Sequence, residues 1–270
     1  MHLKRWITGL TLLPFLLYII FKGGLLFSAF IALIALLGFW EYLRVVFNDS
    51  RGAIGNPVVW ISYLVVPAVV TAAHHQAPAF IFHLIVLLFL VCAFLSVLFY
   101  GRDGLIYESA KKVVIGIVYI PGLLSYLVLI RDGRELDGAL WVIFILVVVF
   151  AGDIGALYAG TFLGRHKLSP AVSPKKTIEG SLGGLSANVL LGSLYKLVVF
   201  PELNWGVCLL FFISLGAMGQ MGDLFESGLK RVAGIKDSGG LLPGHGGILD
   251  RADAAMFAAP VAYLFKVYIF

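Results

Sequence analysis

Charge is scarce in this chain: Asp, Glu, Lys and Arg make up 13% of its 270 residues, against roughly 25% in an average soluble domain. The deficit excludes an ordinary water-soluble fold, because the apolar residues (60% of the chain) fall into long runs rather than being scattered. Mean hydropathy is +0.98. Cysteine is nearly absent. Cys92 and Cys208 each sit inside an apolar run without a CxxC or His partner, which excludes a disulfide framework and a zinc site. No GxxxxGK[ST] loop occurs, so the chain is not a P-loop nucleotide binder. Nor is there an internal repeat of the kind that marks transporters built from duplicated halves. The net charge of +5 and isoelectric point near 9.2 do not imply nucleic acid. In so apolar a chain they reflect membrane topology and an anionic substrate.

What is present is a series of hydrophobic runs bounded by charges, Gly or Pro, and a bilayer-crossing helix needs about 20 such residues. The runs lie at residues 6–21, 25–46, 57–73, 79–100, 112–130, 138–159, 181–200, 204–222 and 252–270. They predict an all-α, polytopic integral membrane protein with about nine transmembrane helices. Lys4 and Arg5 precede the first run as in a signal peptide, but no small-x-small cleavage site follows, so it is read as a retained helix. With this count most of the 20 Lys and Arg residues share one side, including Lys4, Arg5, Arg44, Arg51, Arg102, Lys111 and Lys112. The other side holds Lys22, Arg131, Arg134, Lys196 and Lys266. The positive-inside rule then places the N-terminus in the cytoplasm. Residues 1–135 form spans one to five. Residues 136–270 form a catalytic transmembrane region whose long polar loops, 160–180 and 223–251, face the cytoplasm. His74, His75 and His83 are read as structural or interfacial.

Asp153 interrupts the apolar run Phe150-Ala151-Gly152-Asp153-Ile154-Gly155. If its helix ends near residue 159, the carboxylate lies about 9 Å below that end. An acid at such depth is costly unless it faces a polar cavity or a cation. The bland alternative is an Asp snorkelling to the interface. Downstream, Ser173-Pro174 stops any helix, and Lys175-Lys176-Thr177 opens the next span, with Glu179 following. A lysine pair and a hydroxyl at a helix N-terminus suit phosphate; a positive-inside cluster is the plainer reading. Glu179 could hold a lysine or join a metal shell.

The richest block spans residues 222–253. Asp223 closes one span and Asp250 opens another, so both carboxylates can meet at one interface. Asp250 and Asp253 share a helix face, as do Asp223, Glu226 and Ser227. Converging carboxylates near lysines fit Mg²⁺ in nucleotide chemistry, with substrate phosphates and waters completing the octahedron. Gly244, Gly246 and Gly247 let backbone approach a ligand. His245 has no second His or Cys at zinc spacing.

This block resembles the signature of the phosphatidate cytidylyltransferases (CDP-diacylglycerol synthases). The resemblance rests on Ser227, Leu229, Lys230, Arg231, Lys236, Asp237, Gly239, Pro243, His245, Gly246, Gly247, Asp250, Arg251 and Asp253. Ala252 is smaller than the apolar residue the family has there. The stretch Ser173-Pro174-Lys175-Lys176-Thr177, with Glu179 and Gly180, and the Asp153-x-Gly155-Ala156 run look like further family blocks, although the family has Tyr where this chain has Leu157. The likeness covers the C-terminal half.

The resemblance implies transfer of a cytidylyl group from CTP to phosphatidate, giving CDP-diacylglycerol and pyrophosphate. It further implies Mg²⁺, with K⁺ in a two-metal centre held by Asp223 and Asp250, a homodimer, and the inner membrane of a bacterium with the site facing the cytoplasm. Together these readings assign Asp223, Asp250, Asp253, Lys230, Arg231, His245 and Arg251 to the reaction. They assign Asp153, Ser173, Lys175, Lys176, Thr177, Glu179, Ser227, Lys236, Asp237, Gly246 and Gly247 to substrate binding. A transferase acting on a polyprenol or phytol phosphate would show the same polar site. A transporter would spread ionisable groups through the bilayer, whereas here they cluster on one side.

Overall fold

The computed structural model describes residues 13–47, 56–99, 105–133, 137–236, 238–240 and 246–270. Asp237, Pro243, Gly244 and His245 of the signature lie outside the described residues, as do Lys4, Arg5, Arg51, Arg102 and Arg134 of the charge count. Among the described residues the protein is all-α apart from one short hairpin, and by length and composition seven of its helices can cross a membrane. It is a polytopic membrane protein. Packing divides it into two units, residues 1–134 with 237–249, and residues 135–236 with 250–270.

In the first unit, helix α1 (Leu13–Lys22) is followed by α2 (Gly24–Phe47), α3 (Pro57–His74) and α4 (Pro78–Leu98). Then come α5 (Leu105–Ile117), a π-helical turn (Val118–Gly122) and α6 (Leu123–Arg131), which together are long and apolar enough for one span, Ile106–Arg131. The π turn contains Pro121, which has no N–H to continue the i→i−4 ladder. Helix α3 starts where Asn56 accepts a 3.0 Å hydrogen bond from the Val58 amide, with Pro57 next in line.

The α1–α2 turn depends on glycine. Gly23 and Gly24 have φ of +61° and +55°, a region that costs L side chains about 1–2 kcal/mol. The Arg131 guanidinium also packs so closely on Gly23 that a Cβ would lie 2.7 Å from its Nη1. From there Arg131 donates to the Ile20 and Phe21 carbonyls that end α1. Asp132 accepts from the Gly24 amide at 2.8 Å, capping α2, and also meets Ser28 and His74, each at 3.2 Å.

The second unit holds α7 (Gly138–Phe162), the hairpin strands β1 (Lys167–Ser169) and β2 (Ser173–Thr177), α8 (Ile178–Val199), α9 (Trp205–Val232) and α10 (Leu249–Tyr268). Small residues let α7 and α8 approach closely. A Cβ on Gly155 would lie 2.9 Å from the Gly183 carbonyl, and one on Gly184 would lie 2.9 Å from the Gly152 carbonyl. At the far end of these helices aromatic rings fill the interior, with Trp141 and Phe200 centroids 4.9 Å apart and Phe144 and Tyr195 at 4.7 Å.

Three differences from the sequence reading bear on the site. The polar stretch 160–180 is a hairpin, not a loop opening directly into a helix, so Lys175 and Lys176 lie on a strand. Helix α9 runs through the polar block to Val232, so Asp223, Glu226 and Lys230 lie on successive helical turns. Its last turns persist because Glu226 and Lys230 pair at i,i+4. Last, α1 is short, and α10 carries Asp250, Arg251, Asp253 and Lys266, which is why these two helices fall outside the seven.

Candidate active site

At the hairpin end of the second unit, residues of α7, α8 and α9 and of the hairpin line a cavity of about 500 Å³. Asp153, Gly160, Lys167, Lys175, Lys176, Thr177, Ser181, Gln220 and Asp223 line it. Each arrives for a local reason. Thr177 is the N-cap of α8, its Oγ1 accepting from the Gly180 amide at 3.1 Å, so the exposed amides of the first turn lie beside the cavity. Asp153 lies on α7 and is exposed to the cavity it lines, which resolves the cost of an acid so deep in an apolar helix. Snorkelling is therefore not needed to explain it.

Carboxylates and ammonium groups interlock here. Lys176 Nζ lies 2.5 Å from Asp223 Oδ2. The Ser227 hydroxyl donates to Asp223 Oδ1 at 3.4 Å from one turn further along α9. Asp153 is within electrostatic range of Asp223, Lys176 and Arg251, and Asp253 within range of Asp223, Asp153 and Lys230. Lys230 is shared between Glu226 and Asp250, at 2.5 Å from the latter. In that trio the exposures of the side chains are 12%, 3% and 8% for Lys230, Glu226 and Asp250, so the pairing is buried. Lys230 thus bridges two buried carboxylates, and Glu226 Oε1 has no hydrogen-bond partner among the described residues.

The candidate donors here are carboxylate oxygens, which suit a hard cation such as Mg²⁺. Among the described residues no three His, Cys, Asp or Glu side chains form a ready metal cage. Mg²⁺ held by one or two carboxylates together with substrate phosphates requires no such cage.

Other expected site residues have structural partners. Glu179 accepts from the Arg165 and His166 amides at 3.0 and 3.2 Å and meets His166 Nδ1 at 2.6 Å, so it fastens the base of the hairpin. Arg231 donates to the Val172 carbonyl in the hairpin turn and to the Ile235 carbonyl, each at 3.2 Å. Ser173 pairs with Ser169 across the strands. Lys236 is exposed. In the first unit Gly246 has φ of +84°, where glycine is needed, and Gly247 is buried.

The sequence reading gave no role to Gln220 and Ser181. The Ser181 hydroxyl donates to Gln220 Oε1, and Gln220 Nε2 donates to the Ser181 carbonyl at 3.0 Å, joining α8 to α9 at the cavity wall. Their signal was weak but present: Gln220 is an amide in an apolar run, one turn before Asp223. Glu226 had the clearer signal of i,i+4 spacing to Lys230.

The comparisons with known proteins bear on this same chain end to end. Residues 3–269 match the model of the cytidylyltransferase family, so the likeness extends beyond the C-terminal half to the first spans. A Staphylococcus epidermidis protein named phosphatidate cytidylyltransferase is 33% identical over 260 residues, covering 95% of this chain and 96% of the relative. Bacillus subtilis and Staphylococcus aureus proteins of the same name are 31% identical over 263 residues and 32% over 268. Each alignment covers at least 95% of both chains. With that coverage, and with the acidic, lysine-lined cavity built at its helix ends, the chain belongs to the cytidylyltransferase family of nucleotidyltransferases.

Proposed function

We propose that this protein transfers a cytidylyl group from CTP to phosphatidate, giving CDP-diacylglycerol and pyrophosphate for phospholipid synthesis. The observation that carries the reading is the cavity in which Lys175, Lys176 and the N-terminus of α8 face Asp153 and Asp223. Such a cavity offers positive charge for phosphates beside carboxylates for a cation, and the relatives' shared name supplies the two substrates.

The chemistry is an in-line displacement. A phosphate oxygen of the lipid forms a bond to the α-phosphorus of CTP while the bond to the β-phosphate oxygen breaks, and pyrophosphate leaves with that electron pair. A phosphate monoester is nucleophilic near neutral pH, so the protein's task is positioning and charge neutralisation. Lys175, Lys176, Lys230, Arg231 and Arg251 neutralise the two anionic substrates. Thr177 and the first-turn amides of α8 orient a phosphate. Asp153 and Asp253 orient the cations around them, and His245, from the signature, positions phosphate. Asp223 and Asp250 would hold Mg²⁺, with K⁺ beside it, and such ions supply further neutralisation of triphosphate charge.

The positive-inside bias supports a bacterial inner-membrane location with the cavity on the cytoplasmic side, where CTP is available and the lipid phosphate sits at headgroup level. The family resemblance supports a homodimer. The decisive experiment supplies purified protein with radiolabelled CTP, phosphatidate, Mg²⁺ and K⁺, and measures label in the chloroform phase. Incorporation dependent on phosphatidate is expected. No incorporation across lipid and K⁺ conditions, or incorporation only with a polyprenol phosphate, overturns the assignment.

A further inference from the structure

Helix α2 of the first unit carries a carboxylate that neither the charge pattern nor the signature explains. Glu41 lies within an apolar span, between Trp40 and Tyr42, and is 0% exposed. A buried acid in a membrane helix persists only where it has a task. Glu41 Oε2 accepts from the Ser238 hydroxyl at 3.2 Å and from the Leu249 amide at 3.0 Å. These two donors stand at the two ends of the signature segment 238–249. The Leu249 amide is the first of α10, one of the orphan donors every helix start must place, so Glu41 serves as that helix's cap from another helix.

Glycine shows how tight the grip is. A Cβ on Gly239 or on Gly247 would come within 2.8 Å of the Glu41 Cδ. Both are glycines of the segment's two ends, and both have their backbone pressed against this one carboxylate. Asp250, Arg251 and Asp253 follow directly in α10.

We infer that Glu41 is a positioning residue: it clamps the two ends of the signature segment together and sets the start of the helix that presents Asp250, without touching substrate. The inference rests on the proposed cytidylyl transfer for its kinetic readout, and on backbone exchange for a readout independent of that reaction. A group acting this way lowers the rate of the chemical step more than the affinity for CTP, because misplacement of reacting groups by about 1 Å can cost on the order of 100-fold.

The test compares the full-length protein with Glu41→Ala, Glu41→Gln, Gly239→Ala and the double variant Glu41→Ala/Gly239→Ala. Glu41→Ala should lower kcat about 10- to 100-fold while the KM for CTP moves less than about threefold. Its Leu249 amide should exchange with solvent faster than in the unmutated protein, with α7 to α9 unchanged. Glu41→Gln, whose amide oxygen can still accept from Leu249, should retain more activity. Gly239→Ala should be impaired alone, yet add little to Glu41→Ala, because the new methyl enters vacated space; contacting residues couple in this way. Unchanged kcat and exchange in Glu41→Ala overturn the inference, as does a double variant whose loss is the product of the single losses. If Glu41→Ala does not fold, Gly239→Ala decides: a folded protein with lowered kcat and faster Leu249 exchange supports the clamp, and unchanged kcat and exchange overturn it. Failure of the unmutated protein to turn over falls on the proposed reaction instead, and leaves the exchange comparison to judge the clamp.

Discussion

Two polar clusters in this apolar chain invite comparison, one in each unit. In the first, Arg131, Asp132, Ser28 and His74 bind one another and the helix-end carbonyls and amides of the α1–α2 turn. In the second, Asp153, Lys175, Lys176 and Asp223 face a cavity of about 500 Å³. The residue types are similar, and their partners differ. The Arg131 cluster is directed at backbone groups that must be satisfied wherever a helix ends in a low-dielectric setting. The cavity cluster is directed at other side chains and at open space, so its charges are there for something that enters. In a membrane protein the destination of a polar group's hydrogen bonds separates a brace from a site.

The comparison breaks most sharply at Asp250. Asp250→Asn is expected to lower cytidylyl transfer by at least about 100- to 1,000-fold, the scale of removing one preorganised electrostatic group, with the protein still folded. Turnover near that of the unmutated protein would remove Asp250 from the site. Lys176→Met comes next. Losing one charged contact of about 1.5–3 kcal/mol should raise the KM for CTP roughly 10- to 100-fold in a steady-state assay, and an unchanged KM would assign Lys176 to Asp223 alone. Gly183→Leu addresses packing instead. A side chain there meets Ala159 and the Gly155 carbonyl, so stability in detergent should fall by about 1–3 kcal/mol, with activity lost only as the protein unfolds. On the other side of the comparison, Arg131→Ala should cost about 1–3 kcal/mol of stability and leave kcat within twofold at low temperature. A catalytic loss in that folded variant would erase the distinction between brace and site. Smallest in effect, Arg165→Cys should label with a membrane-impermeant thiol reagent only in permeabilised cells, since Cys92 and Cys208 are both buried; labelling of intact spheroplasts would reverse the proposed orientation.

Much of this arrangement was legible in the sequence. Length and apolarity located the centres of the described spans, because a bilayer imposes a similar length on every helix. Asp153 stood out because acids are rare at that depth, and the spacing of Asp223, Lys230, Asp250 and Asp253 marked the carboxylate-rich block. The hairpin escaped because a few paired residues in an otherwise helical chain give no periodicity to read, and Ser173-Pro174 signals only that a helix cannot continue. The end of α9 escaped because hydropathy stops at the first charge, whereas the helix continues on the pairing of Glu226 with Lys230. Gln220 and Ser181 escaped because neutral amides and hydroxyls leave no trace in a charge count. Glu41 was visible as a residue but not as a clamp, since its partners lie some 200 positions away.

The hairpin's fastenings have a mechanical consequence. Its base is tied to α8 through Glu179, and its turn is tied to the last turns of α9 through Arg231. The strand bearing Lys175 and Lys176 is thus a strut braced between two helices, and the same stretch of α9 carries Lys230. Any tilt of α9 would move both groups of cations at once.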